Sequence, residues 1–230
     1  MTTVMKIDAV NLEYPIPRRY RKENIQPSGI RNISLEVKQG EVLGIIGRNG
    51  SGKSTLLKVM AGVFPPDNGT IATRGSVSLL AGVGVGFHKE LTGRENAYLY
   101  GALMGRTTQQ IDELIDEIQS FAELEHHFDR PIRTYSSGMK SRLGISVATA
   151  FKPDLLLIDE VLGVGDASFR KKSETRVKEM IAESGTVVLV SHSLGMIEKI
   201  CSNVAVFDSG EIKFYGDVKE GISFYTSNFN

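Results

Sequence analysis

The run EVLGIIGRNGSGKST, from Glu41 to Thr55, decides how the rest of the chain is read. After its first residue the stretch to Ile46 is continuously apolar, apart from Gly44. That suits a strand covered on both faces in a parallel sheet. The residues that follow, Gly47-Arg48-Asn49-Gly50-Ser51-Gly52-Lys53-Ser54, fit G-x-x-x-x-G-K-[ST] and lead through Thr55 into a helix reaching Ala61. A strand before and a helix after are the context this motif requires. Its glycines let the backbone turn tightly, with N–H groups pointing inward at phosphate. The helix N-terminus adds partial positive charge. Lys53 can reach β- and γ-phosphates, and Ser54 can ligate Mg2+. Gly47 to Thr55 are therefore candidate nucleotide-binding residues. A glycine-rich turn without ligand is the plainer reading, and the strand–loop–helix context counts against it.

Three further stretches supply chemistry. Asp159-Glu160 closes the apolar strand Asp154–Ile158, and ligands collect at the carboxyl ends of parallel strands. There Asp159 would hold Mg2+ through water, and Glu160 would orient or deprotonate an attacking water. His192 follows the next apolar strand, Thr186–Val190, where a neutral imidazole can hydrogen-bond a γ-phosphate. Taken alone, a histidine is more often structural. Ser136-Ser137-Gly138-Met139 opens a helix running to Phe151. Such an opening is either a plain cap or an anion site built from backbone N–H groups and a serine hydroxyl. Two chains arranged head to tail would each lend it to the other's nucleotide.

Composition bounds the rest. With 230 residues, 41% of them hydrophobic, the chain can build one sizeable core, or a core and a smaller lobe. Lys+Arg and Asp+Glu are both 27, a balance that argues against a nucleic-acid partner. The single cysteine, Cys201, excludes an internal disulfide and suits a reducing compartment. The N-terminal MTTVMKIDAV lacks the pattern of a secretory signal, and no run approaches the ~20 apolar residues of a membrane span. A soluble, cytosolic chain able to dock on a membrane protein is expected.

Strand-like segments at Val4–Val10 and Ile33–Val37 flank Pro15–Gly29, a loop insertion rich in Pro, Arg and Lys. After His88 the texture turns helical: Arg94–Met104, then Thr107–Phe128. The second has a Thr107/Gln110 capping-box spacing and an apolar face of Ile111, Leu114, Ile115, Ile118, Phe121 and Ala122. Strands and helices alternate again from Asp154. They include a helix at Ser173–Ser184 and a hairpin, Val204–Asp208 and Glu211–Tyr215, around Ser209-Gly210. The alternation predicts an α/β fold, with the helices as a lobe inserted in its core.

Taken in order, GRNGSGKS, YSSGM, LLLIDE and VSH resemble the motif set of the nucleotide-binding subunits of ATP-binding-cassette transporters, over essentially the whole chain. The resemblance implies a P-loop NTPase with a RecA-like core, an N-terminal antiparallel β subdomain and an inserted α-helical subdomain. It implies a single cassette domain over 1–230, with a core lobe at 1–87 and 151–230 and a helical lobe at about 88–150. It also implies ATP hydrolysis with Mg2+, and Glu160, His192 and Lys53 as catalytic residues. Ser136, Ser137, Gly138 and Met139 would contact the ATP of a partner copy in a homodimer, and Asp166 would lie in a dimer-contact loop. Tyr14 matches the aromatic that stacks on adenine, with Tyr20 a rival. The signature departs from the usual SGGQ, and His88 stands where a glutamine senses Mg2+. Both metal ligation and a plain hydrogen bond are open to that imidazole.

GFHKELTGREN, TYSSGMKSR and DEVLGVGD are similar to the ATPase subunits of bacterial polysaccharide exporters. That similarity implies integral-membrane permease partners and a transported lipid-linked polysaccharide of O-antigen, capsule or teichoic-acid type. The expected location is the cytoplasmic face of the cell membrane. A carbohydrate-binding domain after the cassette, carried by some members, is not expected within these residues. Another transporter class, or a non-transport ATPase, remains the alternative.

Overall fold

The computed structural model describes residues 2–15, 28–80, 87–159 and 167–229. The chain forms two compact units, one of Met1–Gly75 with Thr186–Asn230 and one of Ser76–Gly185.

The first unit holds an antiparallel sheet of β1 (Thr3–Glu13), β2 (Gly29–Lys38) and β4 (Asn68–Thr73), in the order β2-β1-β4. Its apolar residues line one face: Met5, Ile7, Val10 and Leu12 on β1, Ile30, Ile33, Leu35 and Val37 on β2. Strict alternation would send half of each set to solvent. Irregularities at Ala9 (φ 48°) and Asn32 (φ 47°) reset the register between Ile7 and Val10 and again before Leu12. Side chains satisfy the displaced backbone. Ala9 N–H donates to Ser34 Oγ at 3.0 Å, and Asn32 N–H to Asn11 Oδ1 at 2.9 Å. These bulges bend the strands without losing the core face.

The second sheet of this unit runs through β7 (Val187–Val190), β3 (Val42–Gly47) and β8 (Asn203–Asp208) in parallel, with β9 (Glu211–Asp217) antiparallel to β8. β7 is buried throughout and β3 all but its first residue, as their unbroken apolar runs require. α1 (Lys53–Met60) follows β3 through the glycine-rich loop, and α6 (Leu194–Ile200) follows β7. A closing helix, α7 (Val218–Phe229), lies against β8 at Gly221, where a Cβ would stand 2.1 Å from Val204 Cγ1.

In the second unit β5 (Val77–Leu80) and β6 (Leu155–Asp159) pair in parallel. Asp154 fastens their entry by accepting from Ser76 N–H at 2.7 Å and Ser76 Oγ at 2.8 Å. Four helices accompany the pair: α2 (Gly93–Leu103), α3 (Thr108–Ala122), α4 (Ser137–Ala150) and α5 (Ala167–Ser184). Complete capping boxes, Thr92 with Glu95 and Thr107 with Gln110, start α2 and α3. Ile111, Ile115, Ile118 and Ala122 pack with Phe128, Leu143, Val147 and Phe151. Burial of each large side chain contributes about 1.5–3 kcal/mol.

Helix α3 is shorter than its apolar pattern predicts. Glu123 adopts a left-handed conformation (φ 54°) and ends it, and a 3-10 turn at Glu125–Asp129 then brings Phe128 into the core. Phe121, expected on the core face of α3, instead meets Phe169 of α5 edge-on, at 5.8 Å between ring centroids. α5 starts at Ala167, ahead of the expected Ser173. Among the described residues, no helix is long and apolar enough to cross a membrane.

Candidate functional site

The loop from Gly47 to Gly52 leaves the carboxyl end of β3 and turns into α1. Gly47 is required by proximity: a Cβ there would stand 2.0 Å from the carbonyl oxygen of Phe207 on β8. Gly52, at φ 107°, occupies the N-cap position of α1 and offers no side-chain cap. By contrast, Thr92, Thr107 and Ser136 cap α2, α3 and α4 with their side chains. The first turn of α1 thus has no side-chain cap, and the positive end of the helix dipole faces the loop.

Lys53 is buried, and its ammonium donates to the carbonyls of Gly47 and Arg48, each at 2.8 Å. Ser51 is buried too, and its Oγ has no hydrogen-bond partner among the described residues. A buried hydroxyl without a partner costs about 1–3 kcal/mol. An incoming phosphate would supply one. Arg48, Asn49, Gly50 and Ser54 are exposed along the same loop. A buried cation, an orphaned hydroxyl and an uncapped helix start fit a polyphosphate.

Tyr14 is tied to this loop's helix, its hydroxyl 3.2 Å from Thr55 Oγ1. The ring stands edge-on to Phe64 at 6.2 Å and is 37% exposed. His192 comes two residues after Val190, which pairs with Ile45 of β3 in parallel register. It is exposed and belongs to the same carboxyl rim as Gly47. In the first unit, then, the fold gathers Gly47 to Thr55, Tyr14 and His192. The rival Tyr20, together with Glu160 and Asp166, lies outside the described residues.

In the second unit Asp159 ends β6, half-buried after four buried residues. Ser136 caps α4, its Oγ accepting from Met139 N–H at 3.2 Å. Ser137 is exposed, and Met139 packs against the helical core, where a glutamine would bring less apolar surface to bury. A Cβ on Gly138 would meet nothing in its own chain nearer than Ser136 Oγ at 3.7 Å. The missing side chain there does not serve internal packing. The exposed His88 is held by its backbone: its N–H donates to Asn96 Oδ1 at 2.7 Å, and its carbonyl accepts from Asn96 Nδ2 at 3.1 Å. Asn96 is fully buried and also donates to the Leu91 and Thr92 carbonyls.

Ser51 was among the candidate nucleotide-binding residues, but one detail of it and one further contributor escaped the sequence reading. Ser51 was a variable position of the motif, with nothing to mark its hydroxyl as unpaired. The Ser209-Gly210 turn was visible only as a hairpin, yet Gly210 N–H donates to the Ser51 carbonyl at 2.8 Å.

Comparison with known proteins shows the family of the chain. The family model described as ABC transporter matches residues 30–163. The chain is 44% identical over 193 residues to the O-antigen export system ATP-binding protein RfbB of Myxococcus xanthus, covering 84% of this chain and 44% of that protein. It is 44% identical over 196 residues to the teichoic acids export ATP-binding protein TagH of Bacillus anthracis, covering 85% of this chain and 36% of that one. The chain thus spans less than half the length of either relative. A solved ATP-binding subunit of an ABC transporter superposes with a TM-score of 0.78 at 21% identity, over 99% of this chain and 95% of that one.

Proposed function

Because the chain belongs to the ABC transporter family, we propose that it is the ATP-hydrolysing subunit of an exporter that moves a lipid-linked polysaccharide, of O-antigen, capsule or teichoic-acid type, across the bacterial cytoplasmic membrane. The observation that carries the nucleotide part is the loop after β3: buried Lys53, the unpartnered Ser51 hydroxyl and the side-chain-free N-cap of α1. Likeness to export proteins for O-antigen and teichoic acid supports the substrate class.

In this reading Gly47 to Thr55 cradle the phosphates, and Tyr14 stacks on adenine. Ser54 and, through water, Asp159 would hold Mg2+, which would supply positive charge to offset that of the phosphates. Glu160 orients the attacking water in line with the γ-phosphate, while Lys53 and His192 stabilise the charge that develops. Ser136 and Gly138 of one copy close over the γ-phosphate bound by its twin, and Asp166 faces the twin. The open space at Gly138 favours that close approach. Loss of the γ-phosphate releases the two copies, and permease subunits carry the motion into the membrane.

The test is purification of the tagged protein from solubilised membranes of its own cell, with ATPase assay and mass spectrometry of what co-purifies. A polytopic membrane protein encoded beside glycosyltransferases, together with ATP turnover, is the expected result. A soluble or ribosomal partner would overturn the export reading, and absence of turnover would overturn the enzymatic one.

A further inference from the structure

The phosphate loop rests on another piece of backbone. Gly210, buried at φ 82° in the β8–β9 turn, donates its N–H to the Ser51 carbonyl at 2.8 Å. The turn is in turn gripped by Arg31 at the start of β2. Arg31 N–H donates to the Gly210 carbonyl and its Nη2 to the Ser209 carbonyl, each at 2.7 Å. The neighbouring Gly29 carbonyl leaves no space for a side chain, standing 2.6 Å from a Cβ on Gly210 and 3.0 Å from one on Gly52. Three backbone segments, distant in sequence, therefore meet behind the loop, and the Arg31 guanidinium binds the turn at the Ser209 carbonyl, with Glu211 Oε1 3.9 Å from its Nε.

We propose that Arg31 is a positioning residue for nucleotide: by holding the Ser209-Gly210 turn it fixes the Ser51 carbonyl, and with it the N–H groups that face phosphate. This rests on the nucleotide reading of the loop above. Its guanidinium makes a charge-assisted hydrogen bond to a carbonyl that the main chain alone would leave to solvent. The turn adopts left-handed conformations at both Ser209 (φ 50°) and Gly210 (φ 82°), which an external clasp steadies. A loosened loop grips the phosphates less well in the ground state and the transition state alike. The effect is on uniform binding, not on the chemical step.

The test compares wild type, Arg31→Ala, Arg31→Lys and Lys53→Ala. It measures Kd for MgATP and MgADP by calorimetry, KM and kcat for ATP, and melting temperature without nucleotide. Arg31→Ala is expected to weaken MgATP and MgADP by the same factor, about tenfold. KM should rise with it and kcat stay within about twofold, and Arg31→Lys should recover part of the loss. Should Arg31→Ala fail to fold, Arg31→Lys is read by its Kd and by amide exchange across Gly47 to Lys53, expected to quicken. A lower melting temperature with unchanged Kd would make Arg31 merely structural and overturn the proposal. If Lys53→Ala binds as wild type does, or neither binds, the nucleotide reading itself falls. If Lys53→Ala alone loses binding, only the role of Arg31 falls.

Discussion

The hydroxyls of Tyr14 and Thr55 lie 3.2 Å apart, so the residue that closes the first strand is tied to the first turn of the helix opened by the phosphate loop. The Tyr14 ring stands at 89° to that of Phe64 and is not stacked on it. A tether and a stacking platform can be separated. Tyr14→Phe keeps the ring and is expected to weaken MgATP binding less than about threefold. Tyr14→Ala, which loses the stacking of about 1–3 kcal/mol, should weaken it about tenfold or more. Titration calorimetry reads both. Wild-type affinity in both variants would move the adenine contact elsewhere, with Tyr20 next in line.

Glu160→Gln removes the carboxylate proposed to orient the attacking water and leaves the phosphate loop intact. Turnover should fall by about 10²–10⁴, and the variant should elute as a dimer when MgATP is present. Near-normal turnover would take Glu160 out of the water-orienting role.

Gly138 offers an unusual separation of stability from activity. A Cβ there meets nothing within its own chain closer than 3.7 Å. Ala in a helix is worth up to about 1 kcal/mol over Gly. Gly138→Ala should therefore raise the melting temperature slightly. If the position faces the γ-phosphate of a twin copy, the same change should lower ATP turnover at least about tenfold. Ser136→Asp preserves the cap yet sets an anion against that phosphate, and should also abolish turnover without unfolding. Full activity in both would reduce this helix start to an ordinary cap.

Elements whose cause is local were legible before any coordinates. The apolar runs of β3, β6 and β7, the Thr107/Gln110 box and the motif from Gly47 to Ser54 each depend on neighbours in the chain. What escaped depends on distant ones. Nothing between Ile118 and Phe128 signals that Glu123 will turn left-handed and end α3, because helical period continues through it. Phe121 has the right period for the core and is taken instead by Phe169 and by Lys172, whose ammonium lies 4.7 Å from its ring centre. The Ser209-Gly210 turn reads as a hairpin from its own residues. Only folding brings it to Ser51 and Arg31.

Asp154 gives a pH prediction with a definite sign. Hydrogen bonds from the Ser76 backbone and side chain, with Arg106 nearby, hold its carboxyl below the usual aspartate range, against a smaller opposing effect of burial. A depressed carboxylate stabilises the fold above its unfolded pKa of about 3.9, and the gain is lost as pH falls through the lower folded value. Asp154→Asn should therefore lower the melting temperature at pH 7, by more than at pH 3. An equal loss at both would mean that shape and not charge matters where β5 and β6 begin.

Lys53 is 6% exposed, with its ammonium already seated on the carbonyls of Gly47 and Arg48. A phosphate arriving at that cation exchanges one set of oxygens for another and has little bound water to strip away. Mobile ions screen exposed charges strongly and buried ones weakly. Raising ionic strength should accordingly slow the approach of nucleotide more than it hastens departure, so that the complex, once formed, is nearly indifferent to salt.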